Sequence, residues 1–248
     1  MDRANAEAVV TSKGWLAHQD KPFQNAWLAS AVIVTFATRD HVFHSGDDGG
    51  GVYGLVKGGV GIYAAGRDGS IALGHVLRAG QWFGHGPAMT RRHRTLTFRA
   101  TESSLAFFVP LAALNKITAH NIEFMRSVGA MLEFGIDDAI SAVSDLLIRR
   151  SDQRIAATLL RVTGAETGNS QPSPEGYFLG QADLAEMANV SRDVINRTLA
   201  RFKAWGWVSL GYNRIFVLDA VALSDFIAGN IPRLAKGRNK SRSATYGS

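Results

Sequence analysis

The sequence predicts an α+β chain: a strand-rich N-terminal part, one long helix, and a C-terminal domain of short helices closed by a hairpin. Three observations predict it. Glycine is dense before about residue 90, among short β-branched runs. Apolar residues recur at three- and four-residue spacing from Met125 to Leu147. Residues 179–207 divide into two helical patterns separated by a tight turn.

The strands come first. Ala31–Phe36, Val52–Val56, Val60–Tyr63, Ile71–Leu73, Thr95–Phe98 and Leu105–Val109 are short and β-branched or aromatic. Turn signals separate them: Gly46-Asp47-Asp48-Gly49, Lys57-Gly58-Gly59, Arg67-Asp68-Gly69 and Arg78-Ala79-Gly80. Many short strands with glycine punctuation predict an antiparallel sandwich or barrel.

After Pro110 the period changes. Met125, Val128, Leu132, Ile136, Ile140, Val143 and Leu147 place one narrow apolar stripe on a single long helix. At about 1.5 Å per residue such a helix outruns the small domain beside it. Its stripe must pack on its own domain or on a second copy as a parallel coiled coil. The second copy is preferred, because the helix leads straight into another domain. The division is therefore residues 1–120, a dimerisation helix over 121–150, a C-terminal domain over 151–232 and a tail over 233–248. Ser151 is the expected N-cap of a helix carrying Ile155, Ala156, Leu159 and Leu160. Gly164–Gly176, with Pro172 and Pro174, reads as a polar loop. The tail carries Arg233, Lys236, Arg238, Lys240 and Arg242 among Gly and Ser, a composition that reads as disordered.

Within the C-terminal domain, Gln181–Ala188 is a first short helix with Leu184, Ala185 and Met187 for its buried side. Asp183 suits the positive end of its dipole. Ala188-Asn189-Val190 is the turn, and asparagine tolerates left-handed dihedrals there. Ser191 caps the second helix, Val190 and Ile195 form a hydrophobic staple, and Gly206 ends it. Ile195, Leu199 and Phe202 face the core; Arg192, Asp193, Asn196 and Arg197 face away. Trp207–Leu210 and Ile215–Leu218 then form a hairpin. Two short helices joined by a three-residue turn and followed by a wing make a winged helix-turn-helix, whose second helix fits the major groove of double-stranded DNA.

Composition narrows the rest. The 248 residues are 46% hydrophobic with net charge +6, compatible with a polyanionic partner. No apolar run approaches about 18 residues, and Met1–Asn5 leads into no apolar segment, so no membrane span, no secretory signal and a cytoplasmic location are expected. Cysteine is absent, which excludes disulfides, thiolate zinc sites and a cysteine-ligated iron–sulfur cluster. No hydrolase, zinc-protease or phosphate-loop motif is present, so an enzyme is not expected. Asp47-Asp48 reads as part of a turn.

The whole chain resembles the Crp/Fnr family, that of the cyclic-AMP receptor protein and the fumarate–nitrate reduction regulator. Asp183-Leu184-Ala185 and Val190-Ser191-Arg192-Asp193-Val194-Ile195-Asn196-Arg197 carry the helix-turn-helix resemblance, with Asp193 where the family commonly has glutamate. Phe43–Asp47, Tyr53–Val60, Gly80-Gln81-Trp82-Phe83-Gly84 and Arg94–Ala100 resemble its cyclic-nucleotide-binding-type β-roll. The resemblance implies a homodimeric transcription regulator with Arg192, Asp193 and Arg197 as base readers, a palindromic operator and contact with RNA polymerase. It also places the effector site at Gly84, His85, Arg94 and Thr95. Cyclic-AMP binders have a glutamate for the ribose hydroxyl where this chain has His85. Ala139 and Ile140 fall where hydroxyl residues would meet adenine. Cyclic AMP is therefore not the expected effector, although Arg94 matches the phosphate-pairing arginine; as an alternative it is an ordinary surface residue beside Arg91, Arg92 and His93. Haem through His41, His44, His85 or His93 is not expected either, and the effector is unidentified. The rival readings are a cyclic-nucleotide-responsive regulator and a ligand-binding dimer that has lost DNA contact; retention of Arg192 and Arg197 argues against the second.

Overall fold

The strand signals begin at Ala31, and the residues before them are helical. The computed structural model describes residues 1–119, 121–165, 173 and 175–230. Helices α1 (Arg3–Ser12) and α2 (Lys21–Ala29) flank a single turn of 3₁₀-helix at Trp15–His18. Asp2 accepts from the Asn5 N–H and Asp20 from the Phe23 N–H, each at 2.8 Å. Pro22 lies in the first turn of α2, where no N–H is required. These helices bury Trp15, Phe23 and Trp27, and the Trp15 ring meets Trp27 and Trp82 edge-on at 5.0 and 5.7 Å.

The strands are β1 (Val32–Phe36), β2 (His41–Phe43), β3 (Gly51–Lys57), β4 (Val60–Ala65), β5 (Ile71–Leu77), β6 (Trp82–Phe83), β7 (Thr97–Ala100) and β8 (Ser104–Pro110). The one-turn helix α3 (Gly86–Thr90) follows β6, and α4 (Leu111–Thr118) follows β8. Every pairing is antiparallel. One sheet has the order β1-β8-β3-β6 and the other β2-β7-β4-β5. Phe43, Leu55, Val60, Leu77, Phe83, Phe98 and Ala106 fill the space between them. All six expected strands are present with altered ends. The expected strand from Thr95 starts only at Thr97, because Arg94 is held in the preceding turn: its N–H donates to Asp47 O and its carbonyl accepts from Gly46 N–H, both at 2.8 Å. The two- and three-residue strands β6 and β2 are too short to leave a periodic signal.

Helix α5 (Ile122–Leu147) starts at the Asn121 cap, which accepts from the Phe124 N–H at 3.1 Å. One expectation for its stripe is corrected. Val128 is buried with Met131 against the N-terminal aromatic cluster, not on the outward face. Leu132 is half-buried, and the other stripe residues are bare: Met125, Ile136, Ile140, Val143 and Leu147 are 38–75% exposed in the single chain.

Helix α6 (Ser151–Thr163) corrects a second expectation. Ser151 is its first residue, not its cap. Arg150 holds the cap position, and Asp152 in the first turn accepts from Arg150 and Arg201 at 3.0 and 2.7 Å. Then come β9 (Tyr177–Phe178), α7 (Gln181–Met187), α8 (Arg192–Ala204), β10 (Val208–Gly211), β11 (Arg214–Val217) and α9 (Ala220–Ile227). The wing sheet has the order β10-β11-β9, so a third short strand backs the expected hairpin. Ile155, Leu159, Leu184, Ile195, Leu199 and Phe202 form its core, and Leu73 and Val76 of β5 join the same cluster. The C-terminal domain is thus seated on the β4–β5 hairpin. Pro172, Pro174 and the basic tail lie outside the described residues. Among the described residues no helix is long and apolar enough to cross a membrane.

Candidate nucleic-acid interface and effector site

The geometry of α8 follows from its ends. Asn189 takes φ +49° in the turn. Ser191 Oγ accepts from the Val194 N–H at 3.4 Å, and Val190 packs on the cluster that buries Ile195. At the other end Gly206 adopts φ +79°, and the Gly206 and Trp207 N–H groups return to the Lys203 and Phe202 carbonyls at 3.0 and 2.9 Å. That is a Schellman motif, and it satisfies two orphan carbonyls. Ile195, Thr198, Leu199 and Phe202 are buried beneath the helix.

Arg192, Asp193, Asn196 and Arg197 lie together on the exposed face. Neither Arg192 nor Arg197 has an ion-pair partner among the described residues. Arg201 differs: it is held by Asp152 of α6. A groove of about 380 Å³ runs between α8 and the wing, lined by Gly180, Gln181, Arg192, Asn196, Asn213 and Arg214. At the wing tip Tyr212 is 93% exposed. Sequence reasoning missed Arg154, whose Nε donates to Ala188 O and whose Nη1 donates to Ile148 O, each at 2.6 Å. It ties the turn to the end of α5, a link between residues too far apart for any local pattern to show.

In the N-terminal domain Arg94 reaches Gly84, the neighbour of His85 in the chain; Thr95 is exposed and does not join them. Arg94 is no surface arginine. It is buried, unlike Arg91, Arg92 and His93, and donates from Nη1 to Gly84 O at 3.2 Å and from Nη2 to Gly51 O at 3.0 Å. Its guanidinium lies 3.6 Å from the centroid of the Phe43 ring. Gly84 has φ +85°, and a Cβ there would stand 3.0 Å from Arg94 Nη1. Burial lowers the His85 pKa to about 4, so the ring is neutral. Its Nδ1 is buried with no partner among the described residues. The ring lies against Gly135 of α5, where a Cβ would come within 3.3 Å. Ala139 and Ile140 are exposed; the helix positions beside this site are Gly135, against His85, and Asp138, which accepts from Gln81 Nε2 at 2.9 Å. Counting along the sequence misses them because it does not set the rotation of α5.

Two family models match, in order along the chain: a cyclic nucleotide-binding domain over residues 33–121 and a Crp-like helix-turn-helix domain over 153–226. The chain belongs to the Crp/Fnr family. A Crp/Fnr member with these two domains is a DNA-binding transcriptional regulator. The chain is similar to the cAMP-activated global transcriptional regulator CRP of Haemophilus influenzae, 20% identical over 78% of this chain and 87% of that one. It is also similar to a CRP-like cAMP-activated global transcriptional regulator of Mycobacterium tuberculosis, 23% identical over 77% and 86%. The fold of this Crp/Fnr regulator matches FixK2 of Bradyrhizobium japonicum at TM-score 0.66, 18% identical, covering 79% of this chain and 96% of that one. A CRP-family transcriptional regulator of Thermus thermophilus matches at TM-score 0.62, 21% identical, covering 82% and 100%.

Proposed function

We propose that this regulator works in the cytoplasm as a homodimer joined through the exposed stripe of α5, reading a palindromic operator with two α8 helices about 34 Å apart, one DNA turn. Arg192, Asp193, Asn196 and Arg197 read the bases. Arg can pair bidentately with guanine O6 and N7, and Asp193 can accept from cytosine N4. The observation that carries this reading is the outward face of α8, where two arginines stand exposed, with no ion-pair partner among the described residues, on a helix fixed at both ends. Contact with RNA polymerase is the family expectation that completes the reading. Selection of binding sites from random duplexes tests it: two inverted half-sites one turn apart are expected, and recovery of only unrelated sequences overturns it.

The effector is not cyclic AMP in this reading. The nucleotide phosphate would have to take Arg94 from two backbone carbonyls, and the ribose hydroxyl would meet a neutral His85 instead of a carboxylate. Each lost charge-assisted hydrogen bond is worth about 1.5–3 kcal/mol. Two such losses come to about 3–6 kcal/mol, on the order of a thousandfold or more in affinity. Isothermal titration with cyclic AMP and cyclic GMP is expected to show no tight binding; a dissociation constant at low micromolar or below would refute this.

A further inference from the structure

Two arginines cross the joint between the domains in opposite directions. Arg78, just past β5, donates from Nε to Val162 O of α6 at 3.0 Å and from Nη2 to Phe178 O of β9 at 3.2 Å. Its Nη1 pairs with Glu102 Oε1 at 3.0 Å. Arg161 of α6 points the other way. Its Nη1 donates to His75 Nδ1 of β5 and its Nε to Asp145 Oδ2 near the end of α5, both at 2.7 Å. Arg161, His75 and Asp145 are each less than 9% exposed. Burial, then the neighbouring Arg161, hold the His75 pKa at about 3, so the ring is neutral and Nδ1 accepts.

Stability alone does not account for this cluster. Buried ion pairs can often be replaced by apolar residues at no loss. Here His75 Nε2 and Arg161 Nη2 are also buried without a hydrogen-bond partner among the described residues, which adds a cost. An apolar patch can slide; directed bonds from one guanidinium to two separate elements fix an angle. Those elements are the sensor hairpin that carries β5 and the helix that carries the dimer stripe.

We propose that Arg161, together with Asp145 and His75, is a positioning residue that fixes the DNA-binding domain against both α5 and the β4–β5 hairpin, and so sets the separation of the two recognition helices. The last step rests on the dimer reading above. Arg78 is the matching half on the sensor side.

The absence of cysteine makes the test direct. Spin labels at Lys57→Cys and Ser224→Cys, both exposed, report one distance within a chain when labelled protein is diluted with unlabelled protein. The native full-length chain is expected to give one narrow distance. Arg161→Gln and the isosteric Asp145→Asn are each expected to at least double its width, with Arg161→Lys in between. Asp145→Asn keeps the shape of the site, so it carries the test if Arg161→Gln folds poorly. An unchanged width in folded Asp145→Asn protein overturns the proposal. A second arm uses operators whose half-sites are moved by one or two base pairs either way. The variants are expected to lose tenfold or more at the native spacing and less than twofold elsewhere; an equal loss at every spacing indicates a merely structural role and overturns the proposal. A native protein with no spacing optimum would instead remove the dimer reading, and the positioning role would then stand or fall on the label widths.

Discussion

The sensor and the DNA-binding domain each place arginine at a candidate anion site, and the two placements are opposite. Arg94 is buried, bonded to two carbonyls and stacked on Phe43. Arg192 and Arg197 are exposed on a helix capped at both ends. An exposed guanidinium keeps its hydration and can exchange water for a phosphate or a guanine edge. A buried one must break existing bonds before it can take a ligand, and the abandoned carbonyls then need new donors. The DNA-binding face is thus ready as it stands, whereas the sensor site must rearrange to admit an anion.

The largest expected effect lies on the surface proposed to join these two faces to their counterparts in a second copy. Ile136 and Ile140 are 56% and 57% exposed in one chain. Ile136→Glu or Ile140→Glu would place two unpaired carboxylates in the seam of a dimer. Monomers are expected by light scattering at micromolar concentration. Operator affinity should fall by about a hundredfold or more as bivalent binding is lost. Dimers of unchanged mass would show that the stripe is not the seam.

Next in size is a contrast between the arginines themselves. Arg94→Ala removes two hydrogen bonds from a charged donor and leaves Gly84 O and Gly51 O short of partners, a cost of about 2–4 kcal/mol. At about 2–4 °C per kcal/mol for a chain of this size, melting should drop by roughly 5–15 °C. Arg197→Ala should behave in reverse. Its melting should stay within about 0.5 kcal/mol of the native protein, while affinity falls by about 1–3 kcal/mol per half-site and base preference relaxes at one position. If Arg94→Ala melts like the native chain, the buried bonds are not formed in solution and the contrast fails. An unaltered base preference for Arg197→Ala would remove it from the reading set.

These differences also show what a sequence can carry. The cap, the left-handed Asn189, the staple and Gly206 are all local, each within a few residues of what it controls, and α8 was legible from them. The strands were legible for the same reason, through β-branched runs and glycine turns. Helix α2 left a signal too, in Asp20 before Pro22, with Phe23 and Trp27 on one face. The burial of Arg94 depends on Gly51, 43 residues away, and the Arg161 contact with His75 spans 86. No spacing rule reports such contacts. Val128 was misplaced because it borders the stripe, and only the packed N-terminal helices decide which side it buries.

The smallest expected effect lies where the sensor meets α5, and it sharpens the contrast by asking whether that joint tolerates charge. Burial raises the Asp138 pKa to about 6, against the lowering effects of its Gln81 hydrogen bond and of Arg161. Since the folded pKa lies above the unfolded value, the folded state holds its proton more tightly. The protein gains stability from this group at pH below about 4 and loses it as pH rises through about 6. A shift of about two units is worth at most about 3 kcal/mol. Asp138→Asn removes the titration and keeps an acceptor for Gln81 Nε2, but brings two amide donors that need partners. The net gain at pH 7.5 is therefore expected near 1 kcal/mol, a rise of a few degrees in melting temperature, with no gain at pH 4. Melting curves of both proteins from pH 4 to 7.5 measure it. Parallel curves would mean that Asp138 is hydrated and that the joint between β6 and α5 is open to water.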